Sequence, residues 1–131
     1  MLKTKSILAP KEELDGIRIS IMSRHTLEDG ITSHPNISLD SYERWLPNLG
    51  PPLKLIGDYY KRNLPWKEFE KRYLNHLQQT EIQLEVKNLA RISLELEVTL
   101  LCIEDKPEHC HRRLLAEECK KYQPDLILEI K

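Results

Sequence analysis

Apolar and polar positions change period along the chain, and the changes mark its elements. Imperfect alternation over 2–8 predicts a strand, which Pro10 ends. Residues 11–14 have room for one helical turn before the Asp15-Gly16 turn signal. Ile17, Ile19 and Ile21 alternate with Arg18 and Ser20, so 17–22 is the clearest period-two strand. Loop-forming residues dominate 27–35. Ser38 is placed to cap a short helix over 39–46. After the breaks at Pro47, Gly50, Pro51 and Pro52, a second short helix is expected over 53–62.

The longer helices are plainer. Pro65 suits a helix start, and Trp66, Phe69, Tyr73 and Leu77 then form one apolar stripe. Thr80-Glu81-Ile82-Gln83 has the form of a capping box, and Ile82, Val86, Leu89 and Ala90 supply the buried side of the helix it would open. That helix should end near 93–95. The continuous apolar run over 98–103 reads as a buried strand. A polar turn leads into a helix over 111–122, and 126–130 closes the chain as a strand. Strands joined through helices imply a single compact α/β domain, 1–131, with a small, mostly parallel sheet flanked by helices. The link between the first two strands is short for a crossover, so that pair is expected to be antiparallel.

Composition narrows the class. With 40% hydrophobic and 31% charged residues the chain is globular, and 131 residues suffice for one core. Twenty basic against 21 acidic residues leave a net charge of -1, which argues against nucleic acid or an anionic membrane surface as the partner. No apolar run approaches membrane-spanning length and the first residues lack a signal-peptide core, so the expected compartment is the cytoplasm. Three cysteines do not make a disulfide framework. No phosphate-loop or dinucleotide glycine pattern occurs and no paired C-x-x-C, so neither a cofactor nor a metal is expected.

The candidate chemistry lies where the apolar run over 98–103 gives way to the next helix. His109, Cys110, His111, Arg112 and Arg113 crowd that helix start. There the free backbone amides and the helix dipole favour an anion, and neighbouring cations do the same, so Cys110 is the candidate thiolate. The plainer alternative is a small buried residue beneath the helix. Cys102, late in the strand, reads first as core and second as another thiol facing Cys110 across the turn. Cys119 falls on the helix's apolar stripe. His109 and His111, two apart on a helix, point in different directions, so at most one serves the site. Parallel pairing of the strands over 17–22 and 98–103 would bring Ser23 and Arg24 to the same sheet edge, where open α/β sheets bind ligands. Arg24 could equally pair with Glu104 or Asp29. Tyr59, Tyr60, Lys61 and Arg62, with Lys54 and Trp66, form an aromatic-basic cluster better explained by core aromatics and solvated lysines than by single-stranded nucleic acid.

These residues also carry a resemblance. VTLLCIEDKPEHCHRRLLAEE resembles the "LLC-A-E-x-x-P-x-x-C-H-R" signature of the domain-of-unknown-function family numbered 488. DGIRISIMSRHTLEDGIT resembles the opening of that family's short branch, related to the YeaO-like proteins. LGPPLKLIGDYYKRNLPWKEFEKRYLNHL is similar to the same branch's W-x-x-F-x-x-x-Y segment. The resemblance implies a compact α/β domain with Cys102, Cys110, His111 and Arg112 near a site that Arg24 joins. Many YeaO-like relatives lack the cysteine that this chain keeps as Cys110. The family name records no established activity.

The leading expectation is therefore a Cys-dependent enzyme or an enzyme-like anion-binding domain. Cys110 is its thiolate, with His111 as acid or base and Arg112 as an oxyanion holder. Arg24, Ser23, Arg113 and His109 are the candidate anion-binding residues, and a small anionic ligand is the expected partner. The C-x5-R spacing of cysteine phosphatases is absent. One alternative is a metal-binding or redox-sensing protein that uses Cys102, Cys110 and a histidine. Another is a non-catalytic module for nucleic acid or protein. A homo-oligomer in which a second copy completes the site stays open.

Overall fold

The computed structural model describes all 131 residues. Its strands are β1 (Leu2–Ser6), β2 (Ile17–Ser20), β3 (Arg44–Trp45), β4 (Val98–Cys102) and β5 (Leu128–Ile130). Its helices are α1 (Leu53–Lys61), α2 (Trp66–Leu77), α3 (Thr80–Glu95) and α4 (His111–Tyr122). The strands form one sheet in the order β3-β2-β4-β1-β5, and every pairing is parallel. β4 is central and buried along its whole length, which is why its sequence is a continuous apolar run rather than an alternation. No helix is long and apolar enough to cross a membrane.

The expected antiparallel pairing of the first two strands does not occur. β4 inserts between them and pairs in parallel with both. The segment after β1 crosses β4 instead of folding back as a hairpin. Two strand spacings are only about 10 Å, a gap that a short segment spans without a full helix. A 3-10 turn at Glu13–Asp15 sits in this crossing, and the Thr99 hydroxyl donates to Asp15 O at 2.6 Å. Gly16 then turns the chain at φ +65°, where a Cβ would lie 2.2 Å from Glu97 O. That position accepts only glycine.

Two local expectations also change. The segment over 39–46 is not a helix. Ser38 does cap, accepting from the Asp40 amide at 3.2 Å, but the chain then makes only a 3-10 turn, Leu39–Ser41, before it enters β3. The open edge of β2 captures this segment through Glu43 N to Arg18 O and Leu46 N to Ser20 O, so sheet pairing overrides local helix propensity. At α3 the N-cap is Gln79, without a side-chain cap, and Thr80 is already helical.

Period two gives the sheet two distinct faces. Leu2, Ile19, Ile21, Val98 and Leu100 point to one. There they pack with Phe69, Tyr73 and Leu77 of α2, Val86, Leu89 and Ala90 of α3, and Leu115 and Cys119 of α4. Lys5, Arg18, Thr99 and Leu101 point to the other, beneath the β1–β2 crossing. On that face Asp15 binds Lys5 at 3.0 Å and Arg18 at 2.5 Å, and the Arg18 Nε donates to Ser41 O at 2.9 Å. All three charged residues are buried. Burial opposes ionisation of Asp15, but the Glu12 amide, Lys5 and Arg18 outweigh it and hold the carboxyl below its ordinary value. Because the strands are parallel, their C-terminal ends share one edge, and the site forms there.

Candidate functional site

β4 ends at Cys102, and the polar turn after it returns the chain to Cys110, the N-cap of α4. Arg112 fastens this turn. Its buried guanidinium donates to Glu104 O at 2.7 Å, Asp105 O at 3.3 Å and Lys131 O at 3.1 Å. The side chain expected to hold an oxyanion is thus spent on backbone carbonyls, and it does not line the cleft that opens over the turn. Fixing the turn in this way brings Cys102, Cys110 and His111 together.

His111 lies at the centre of the site. Its Nε2 is 2.8 Å from Ile21 O, and since a carbonyl only accepts, Nε2 carries the proton. In the neutral ring Nδ1 is then the acceptor, and it lies 3.5 Å from Cys102 Sγ. The ring also meets Tyr73 edge-on at 5.4 Å. A thiol, an imidazole and a carbonyl that orients the imidazole are thus in line.

The two thiols differ. Burial opposes ionisation of Cys102. The Cys110 thiol, the Glu104 and Ile103 amides and the Arg112 charge overcome it, and the pKa falls below the ordinary thiol value. Burial and the neighbouring Cys102 push Cys110 well above that value. Position at the helix start and the surroundings of the pair thus point to different sulfurs, Cys110 and Cys102 respectively.

Above these residues opens a cleft of about 370 Å³. Ile56, Tyr59, Tyr60 and Phe69 line it from α1 and α2, and Met22, Arg24, Thr26, Leu27, Glu28 and His34 line it from the loop after β2. Cys102, Cys110 and His111 line it, although each is at most 6% exposed. Arg24 and Ser23 reach it from the end of β2, but the Ser23 hydroxyl already donates to Pro51 O. The Arg24 guanidinium lies against Gly30. It forms no ion pair with Glu104, which accepts from the Tyr60 hydroxyl. Nor does it pair with Asp29, whose carboxylate is bound within its own loop. The Thr32 hydroxyl and the Ile31 and Thr32 amides, with a smaller contribution from Arg24, lower the Asp29 pKa to about 2. His109 stands at the mouth, stacked on Trp66 at 4.8 Å. Arg113 is outside, on Glu117 at 2.9 Å and on Glu108 O at 3.0 Å.

Several cleft residues are brought there by contacts that have no local signal in the sequence. His34 is delivered by a backbone pairing of the loop onto itself, His34 N to His25 O at 2.9 Å. Thr26 places a buried hydroxyl without a partner in the wall. Tyr59 and Tyr60 stand out in the sequence only as an aromatic-basic cluster, and their approach to Glu104 is a long-range contact with no local signal. His25 does not line the cleft. It bonds Ser20 Oγ at 2.7 Å and packs on Trp45 and Tyr42.

The Cys102 and Cys110 sulfurs and a ring nitrogen of His111 lie within 4.8 Å of one another. Such a donor set suits borderline-soft ions such as zinc as well as covalent thiol chemistry. A family model described as the active DUF488-N3 subclade, DUF488-N3a, matches residues 2–123. No curated protein and no solved structure matches the chain.

Proposed function

The chain belongs to the DUF488-N3a family, and on that premise we propose that the cleft is a thiol-dependent active site with Cys102 as its nucleophile. One observation carries this reading: Cys102 Sγ lies 3.5 Å from a His111 nitrogen whose acceptor state is set by the bond to Ile21 O. His111 Nδ1 takes the thiol proton as the sulfur attacks an electrophilic centre. It returns that proton to the leaving group, and a covalent adduct remains on Cys102. The uncapped start of α4 and the Arg112 charge stabilise the thiolate. Arg24, which makes no close ion pair, meets an anionic end of the substrate across the cleft. That the family's description calls this subclade active agrees with an enzyme.

Acetylation by p-nitrophenyl acetate, mapped by peptide mass, tests the reading. The expected result is a burst of p-nitrophenol with the acetyl group on Cys102, lost in Cys102→Ala. An acetyl group on Cys110 instead, or an equal burst from Cys102→Ala, contradicts it. So does a stoichiometric zinc or iron ion in the protein as purified, because the ion would hold both sulfurs.

A further inference from the structure

The second sulfur gives the site a more specific chemistry. Acyl transfer needs one thiol, yet two line this cleft, with their sulfurs within 4.8 Å of each other and of the same imidazole. The third cysteine, Cys119, is enclosed in the helix-covered core and takes no part. We propose that Cys102 and Cys110 are an attacking and a resolving thiol, and that the cleft reduces small-molecule disulfides. This rests on Cys102 being the nucleophile, and it names the substrate class of that same site.

The steps balance. The Cys102 thiol passes its proton to His111 Nδ1, and the thiolate attacks one sulfur of the substrate disulfide. The substrate S–S bond breaks, and its first half leaves as a thiolate that takes the proton from His111. Cys102 now holds the second half as a mixed disulfide, facing Cys110. The Cys110 thiol gives its proton to His111 and attacks Cys102 Sγ. A Cys102–Cys110 bond forms, the mixed disulfide breaks, and the second half leaves with the proton. The substrate gains two electrons and the protein loses two. An external dithiol restores the protein.

The arrangement also orders the two attacks. Burial and the neighbouring Cys102 hold the Cys110 thiol above its ordinary value, so Cys102 is the sulfur that attacks first. Once Cys102 is held in the mixed disulfide, Cys110 lies beside it and attacks with His111 as its base.

Dipyridyl disulfide tests this, because each half released as thiopyridone absorbs light. The reduced wild-type chain should release two thiopyridones in the fast phase and end with a Cys102–Cys110 disulfide in the peptide map. Cys110→Ser should release one and keep a pyridyl adduct on Cys102. A wild-type chain that stops after one release, with a stable adduct on Cys102, overturns the resolving role and leaves the nucleophile intact. A first adduct on Cys110, or fast release from Cys102→Ser, overturns the nucleophile itself. The wild-type stoichiometry and map decide the matter even where a variant folds poorly.

Discussion

The two faces of the sheet each bury a polar constellation, and the two are built to opposite ends. Beneath the β1–β2 crossing, Lys5, Asp15 and Arg18 satisfy one another at 2.5–3.0 Å, and the Arg18 Nε finds a backbone carbonyl. On the face that carries Cys102, the thiols and His111 are equally buried, but they line a cleft that opens to solvent. Ion pairing among its own members satisfies the first group. The second group lines the cleft, and the chemistry we propose belongs there. Burial of a polar side chain is therefore not itself a sign of function; what matters is whether its reactive atoms face space.

Substitutions should separate the two groups cleanly. The largest effect is expected at His111. Without its acceptor nitrogen the Cys102 reaction should slow by about 10²–10⁴-fold, the usual worth of a positioned base. His111→Asn measured against wild type in the p-nitrophenol burst reads this directly, and an unchanged burst rate would remove the base from the mechanism. In the closed cluster, Asp15→Asn leaves Lys5 and Arg18 buried without their carboxylate. It should cost about 3–5 kcal/mol in urea unfolding. The burst per folded molecule should not change, and a selective loss of reactivity would break the distinction between the faces.

A smaller effect follows from acidity. The Asp15 pKa is lowered by folding, so its stabilisation is complete above the unfolded carboxyl value of about 3.9. It is lost as pH falls through the folded value, because the unfolded chain takes up the proton first. The wild-type urea midpoint should drop over that acid range, and Asp15→Asn should flatten this part of the curve. An identical acid slope in both proteins would assign the drop to other carboxylates.

Much of this frame is legible in the sequence, and the exceptions share a cause. The run at β4, the stripe of α2 and the body of α4 follow from period and composition, which act locally. The order of the strands does not, since β4 inserts between β1 and β2 through contacts remote in sequence. The alternation at β2 identifies a strand, but not that Arg18 would be buried at 2% exposure on a charge partner. Arg112 reads as an anion holder from its neighbours. Only the folded turn shows that three carbonyls occupy it. The crowd of reactive residues in the sequence falls where the cleft opens. Which sulfur is the more acidic depends on amides, charges and burial that meet only in three dimensions.

Site-resolved alkylation of the native protein tests the central claim most directly. Treated briefly with iodoacetamide at neutral pH and mapped by peptide mass, Cys102 should be labelled first. Cys110 should lag behind it, and Cys119, in the closed core, should react only on unfolding. If Cys110 is labelled ahead of Cys102, or the two at equal rates, Cys102 is not the nucleophile of this cleft.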